Sequence, residues 1–107
     1  MGMLNSIILE GNIVKAGVLD NYTGKLEFDI CVERLYKSAT GETLTDKPVF
    51  SVYAVGKLAE FATDRRRVHE GRGIRVVGRL AIDDGKTKVF AEHIEFKAEY
   101  KPGNEEA

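Results

Sequence analysis

Two glycines fall where a strand-forming chain has least use for them. Gly11 interrupts the β-branched run LNSIILEGNIV (Leu4–Val14), and Gly78 interrupts IRVVGRLAI (Ile74–Ile82). A glycine inside a strand gives up side-chain packing, and it commonly marks a bulge or a sharp bend. Sheets that curl into small barrels need such points, so the pair argues for a curved sheet.

The rest of the pattern agrees. In LEFDICV (Leu26–Val32), Leu26, Phe28, Ile30 and Val32 share one face, while Glu27, Asp29 and Cys31 share the other. Asn21-Tyr22-Thr23-Gly24 before it reads as a turn, and SATGETLTDK (Ser38–Lys47) as an exposed polar loop. PVFSVYAV (Pro48–Val55) is a third strand, with its proline tolerable at the opening position. The period then lengthens. In GKLAEFATDRRRV, Leu58, Phe61, Ala62 and Arg65 fall on one helical face. Strand pattern returns at Ile74, Val76, Leu80 and Ile82, Asp84-Gly85 signals a hairpin, and a last strand covers Lys88–Lys97.

The expected order is β-β-β-α-β-β. With 107 residues and 43% hydrophobic content the chain holds one domain. Five short strands with one helix between the third and fourth fit a closed Greek-key barrel better than a sandwich, and the OB-fold is the five-stranded barrel of this size. The fold class expected is therefore all-β, an OB-fold domain over residues 4–98 followed by a disordered tail over 99–107.

The stretch GRGIRVVGRL (Gly71–Leu80) admits a second reading, as a phosphate-cradling loop. Such a loop follows a strand, opens a helix and spaces its glycines in fixed patterns. Here the glycines follow a helix and enter a strand, so Ile74, Val76 and Leu80 turn inward while Arg75 and Arg79 share the opposite face. No other stretch supports catalysis. His69, His93 and Cys31 lack metal-ligand spacing, and Asp83-Asp84-Gly85 is turn chemistry. No serine or cysteine sits in a nucleophile setting. The expectation is a protein that is not an enzyme and carries no metal or other cofactor.

Net charge is −1, but the charges are not evenly spread. Six arginines (65, 66, 67, 72, 75 and 79) stand against Glu70 alone between Arg65 and Arg79, whereas five glutamates face two lysines from Glu92 onward. A near-neutral total thus hides a cationic segment of the kind that steers polyanions. Arg65–Arg67 equally suit a helix end, where cations meet the negative pole of the dipole. One cysteine excludes an internal disulfide, and neither a leader nor an apolar run of membrane-spanning length is evident. A cytoplasmic, nucleoid-associated protein is expected.

NSIILEGNI (Asn5–Ile13), FDICVERLY (Phe28–Tyr36), VGKLAE (Val55–Glu60), GRGIRVVGRL and AEHIEF (Ala91–Phe96), taken in this order over residues 4–97, resemble the bacterial single-stranded DNA-binding protein family. The resemblance implies an OB-fold that forms homotetramers and sheathes unwound DNA in replication, recombination and repair. It also implies a mechanism: bases stack on outward aromatics while lysines and arginines track phosphates, which tolerates any base sequence. By this resemblance Tyr36 falls at a stacking position and Lys57 at a basic position near the strand. A loop-edge tyrosine packing locally and a solvated lysine opening a helix are the plain alternatives. Arg34, Arg72, Arg75 and Arg79 are candidates for phosphate contact, although strand arginines also serve subunit interfaces.

The chain departs from the family pattern in three places. Val49 and Val55 stand where the family usually has aromatics, and the hairpin AIDDGKTKVF (Ala81–Phe90) is short. Tyr53 shares its face with Val49 and Val55 and is the expected substitute; alternation gives Phe50 to the core and leaves Phe90 open. The end KPGNEEA lacks the glycine- and proline-rich linker and the acidic-hydrophobic tip that recruits repair enzymes in the family. Two other readings stand beside the first. One is similarity to the dimeric, tail-less primosomal replication protein N family; the other is an OB domain for protein assembly.

Overall fold

The computed structural model describes residues 3–98. Among the described residues, seven strands occur in the order β1 (Ile7–Ala16), β2 (Lys25–Cys31), β3 (Arg34–Lys37), β4 (Thr43–Asp46), β5 (Val49–Val55), β6 (Gly73–Asp83) and β7 (Lys86–Phe96). Helix α1 (Gly56–Thr63) and a 3-10 turn at Asp64–Arg66 lie between β5 and β6. Five strands close into a barrel in the order β1-β2-β5-β7-β6, while β3 and β4 form their own two-stranded sheet. All pairings are antiparallel except β5 with β7. The barrel with helix α1 between β5 and β6 is the expected OB-fold.

Alternation sets the core. Leu26, Phe28 and Ile30 of β2, Val52 and Ala54 of β5, Ile74 and Val76 of β6, and Val89, Ala91 and Ile94 of β7 are all buried. Each such side chain, sealed from water, contributes on the order of 1.5–3 kcal/mol where it is Val-sized or larger. Ala59 and Ala62 of α1 join them.

The two mid-strand glycines sit at close approaches of backbone. A Cβ on Gly11 would lie 2.2 Å from the Cys31 carbonyl oxygen, and one on Gly78 would lie 2.0 Å from that of Phe90. β1 pairs with β6 up to Asn12 and with β2 from Asn12 onward, so the bend lies beside Gly11. At Gly78 the β6–β7 register shifts, leaving Glu92 as the extra residue of a bulge. Both places let the sheet curl shut.

Five expectations need correction. Part of the Ser38–Lys47 loop is strand: β4 pairs with β3, because Thr43-Leu44-Thr45 favours extended backbone once Ser38–Gly41 has turned the chain. The helix thus follows the fifth strand in chain order, although it still follows the third strand of the barrel. Its buried face is Ala59 and Ala62 with half-buried Leu58. Phe61 stays 43% exposed, and Arg65 lies past the helix end. Two small residues let α1 sit close on the barrel, and Phe61 turns to its edge beside Phe96, ring centroids 6.0 Å apart.

Leu80, expected inward, is 46% exposed. Beyond Gly78, β6 keeps β7 as a partner but loses β1, so Leu80 and Ile82 hold the inward parity with no core left to enter. Phe50, expected in the core, is 37% exposed for a related reason, standing near the start of β5 at the barrel's end. The expected tail, 99–107, lies outside the described residues.

Candidate nucleic-acid interface

A row of side chains crosses four strands on the outside of the barrel. Tyr53 on β5 and Phe90 on β7 are register partners, with ring centroids 5.2 Å apart and planes inclined at 53°. Beside Phe90 on β6 is Arg79, its guanidinium carbon 5.2 Å from the Phe90 centroid. On the other side the Lys25 ammonium of β2 lies 5.2 Å from the Tyr53 centroid. The row is cation, ring, ring, cation. Strand parity produces it, because Tyr53 and Phe90 alternate with buried Val52, Ala54, Val89 and Ala91. Flat π-surface beside a cation such as Arg79 is the combination that holds a flexible chain of bases and phosphates.

Below the row an ion cluster ties the β6–β7 hairpin to β2. Lys88 Nζ donates to Glu27 Oε2 at 2.8 Å and to Asp83 Oδ2 at 2.9 Å. Lys25 donates to Asp83 and lies 3.5 Å from Glu27. The side chain of Lys88 is only 10% exposed. Hydrogen bonds from Lys25 and Lys88 hold the Asp83 carboxyl below its ordinary range, and the Lys88 bond does the same for Glu27. In return, hydrogen bonding to Glu27 and Asp83 raises Lys88, and bonding to Asp83 raises Lys25. These charges neutralise one another and fix where the hairpin stands.

The expected site residues divide into groups. Tyr53, Phe90 and Arg79 come together in the row. Arg34 and Tyr36 form a second pair on the β3–β4 hairpin, the guanidinium carbon 5.0 Å from the ring centroid, with Arg34 4.0 Å from Asp46. Arg75 stands exposed between Glu10 on β1 and Glu95 on β7, four residues along β6 from Arg79. Arg72 Nε donates to the Lys97 carbonyl at 2.9 Å and its guanidinium covers Phe96. Lys57 lies exposed in the first turn of α1. Val49 and Val55 are exposed at the two ends of β5, where aromatics were missed.

Arg67 takes the helix-end role, donating to the Phe61 and Asp64 carbonyls at 3.0 and 3.2 Å. Lys25, Glu27, Asp83 and Lys88 were not expected at the site. Their outward parity was readable, but Lys25 and Asp83 are 58 residues apart and meet only when the hairpin folds across β2. Among the described residues, no three His, Cys, Asp or Glu side chains cluster as a metal site.

No protein-family model matches the sequence, and a search of curated proteins finds no match. Solved structures do resemble the fold. A deletion variant of the single-stranded DNA-binding protein from Thermus aquaticus superposes with a TM-score of 0.75 at 23% identity, over 89% of this chain and 51% of that one, so the chain spans about half that protein's length. A Plasmodium falciparum single-stranded DNA-binding protein in complex with single-stranded DNA gives 0.73 at 16% identity, over 92% of this chain and 98% of that one. PriB from Ralstonia solanacearum gives 0.59 at 15% identity, over 89% and 100%. The barrel of this chain is an OB-fold of the architecture found in single-stranded DNA-binding proteins.

Proposed function

We propose that this chain is a non-enzymatic protein that binds single-stranded DNA with little regard to sequence, protecting unwound DNA in replication, recombination and repair. The observation that carries the reading is the row Lys25–Tyr53–Phe90–Arg79 on the outer face of the barrel. Arginine captures the backbone and the rings stack bases, and stacking on a π-face is available to every base. Arg34 and Tyr36 on the projecting hairpin extend the path, while Arg75, Arg72 and Lys57 are more distant phosphate contacts.

The same reading takes the protein to be a cytoplasmic, nucleoid-associated homo-oligomer, a tetramer by preference. Ile8, exposed on the outer side of β1, supports burial against another subunit. A dimer, implied by the resemblance to the primosomal replication protein N family, is the second reading. Sedimentation separates the two.

The test is titration of a labelled, mixed-sequence single strand at several salt concentrations, with duplex as competitor. Log affinity should fall linearly with log salt, and duplex should compete poorly. Equal affinity for duplex would remove stacking as the mechanism.

A further inference from the structure

Next to the aromatic row is a groove of about 350 Å³ on the outer face of β2, walled by the β6–β7 hairpin and the β1–β2 connection. Lys15, Lys86 and Lys88 lie along it, and Glu27, Asp29 and Ser51 contribute acceptor oxygens. Three carboxylates, Glu27, Asp29 and Asp84, are a poor choice for a surface meant to face phosphate. Asp84 stands exposed in the turn of the β6–β7 hairpin, where its role is turn chemistry. Glu27 is accounted for, since Lys88 and Lys25 neutralise it. Asp29 is not: among the described residues it joins no ion pair, and its one hydrogen-bond partner is Ser51.

The geometry of that bond decides what the groove will take. Ser51 Oγ donates its proton to Asp29 Oδ1 at 3.0 Å. The hydroxyl hydrogen is thereby used, leaving lone pairs on Oγ and on the second Asp29 oxygen. The half-buried pair is therefore an all-acceptor surface. It repels phosphate oxygens and the O2 and O4 carbonyls that flank the single N3–H donor of thymine, and it accepts more readily the two-hydrogen exocyclic amino groups of cytosine, adenine or guanine, as carboxylates do when they read cytosine. Asp29 and Ser51 are register partners, as are Glu27 and Tyr53 two residues along. Asp29 and Tyr53 are thus diagonal neighbours across the strand pair, ~7–8 Å apart, within the reach of one base.

We propose that Asp29 and Ser51 form a base-edge subsite that favours an amino-bearing base over thymine at one position of the bound strand. The inference rests on the single-strand reading above and adds a preference that stacking alone does not supply. Lys15 and Lys86 at the rim hold the flanking phosphates.

The test compares labelled oligo-dC and oligo-dT of equal length at neutral pH and one salt concentration, for the wild type, Asp29→Asn and Ser51→Ala. The asparagine amide keeps the shape of the side chain but adds a donor that suits thymine O4. The dC-to-dT affinity ratio of the wild type should exceed that of Asp29→Asn by roughly five- to tenfold. Ser51→Ala should give an intermediate ratio. Identical ratios in wild type and Asp29→Asn, with both strands binding, would overturn the subsite and leave the single-strand reading intact. Failure of every strand to bind the folded wild type would overturn both.

Discussion

Tyr53 and Phe90 stand side by side on the one parallel strand pair of the barrel, their rings 5.2 Å apart. Parallel pairing matters here, because it places the third and fifth barrel strands next to each other and closes the sheet with two outward rings in register. Tyr53→Ala and Phe90→Ala should each weaken single-strand binding by ~1–3 kcal/mol. The rings touch, so the double variant should lose less than the two single losses together. Fluorescence titration of all three proteins, with melting curves to confirm folding, reads both effects. Tyr53→Phe, which keeps the ring, should bind as the wild type does.

Arg79 is flanked by Phe90 and by Glu92, whose carboxylate is 4.0 Å away in a loose, exposed pair. It is therefore free to meet a phosphate at little cost. Arg79→Gln should reduce the slope of log affinity against log salt by ~0.7, the share of one phosphate on a single strand. Arg67→Gln is the control. Its guanidinium is committed to the end of the helix, so its loss should lower the melting temperature and leave the salt slope unchanged.

The Lys25–Glu27–Asp83–Lys88 cluster makes stability depend on pH in a stated direction. Both carboxyls are held below their ordinary range in the folded protein. Their contribution is present above the unfolded pKa of about 4 and is lost as pH falls through the depressed folded values. The lysines are raised, so theirs is complete below about 10.4 and is lost only as pH rises through those higher values. Thermal melts should fall steeply on the acid side, below pH ~4. Lys88→Met should melt lower at neutral pH and show a shallower acid limb.

What the sequence could announce was whatever repeats locally. Alternation in LEFDICV placed Leu26, Phe28 and Ile30 in the core, and Asp84-Gly85 marked the hairpin, where both residues have left-handed φ values of 53° and 75°. Gly11 and Gly78 announced curvature without naming the strands that come close. Parity misled at strand ends, as Phe50 and Leu80 show, because an inward direction buries a side chain only where a neighbouring strand continues. The ion cluster was not legible for a related reason. Each of its pairs with the hairpin joins residues brought together by closure of the barrel, which no local spacing records. The all-acceptor character of Asp29 and Ser51 depends on one cross-strand hydrogen bond in the same way.

Gly78→Ala tests closure directly. The new methyl would sit 2.0 Å from the Phe90 carbonyl oxygen, which is backbone and cannot swing aside. Overpacking of this kind costs ~1–3 kcal/mol and sometimes more, or a fall of ~4–8 °C in melting temperature for each kcal/mol in a domain of this size. Because the displaced carbonyl belongs to Phe90 itself, binding should weaken as well. Gly41→Ala is a useful contrast: no atom lies within 4 Å of its added carbon, although its φ of 88° strains the turn. It should alter the β3–β4 hairpin alone.

That hairpin supplies the last prediction. Its strands are exposed almost throughout, and it forms a sheet of its own, so its residues contribute little to holding the barrel together. Tyr36 is 41% exposed there, with the Arg34 guanidinium near its ring. A tyrosine kept for local packing would cost stability when truncated and leave DNA unaffected. A tyrosine kept as a stacking platform would do the reverse. Tyr36→Ala should weaken single-strand binding by ~1–3 kcal/mol while the melting temperature of the barrel stays within error. Arg34→Gln should lower both the affinity and the salt slope by the share of one phosphate. If Tyr36→Ala shifts the melting curve and leaves the titration untouched, the bound strand follows the barrel row alone and the hairpin lies off its path.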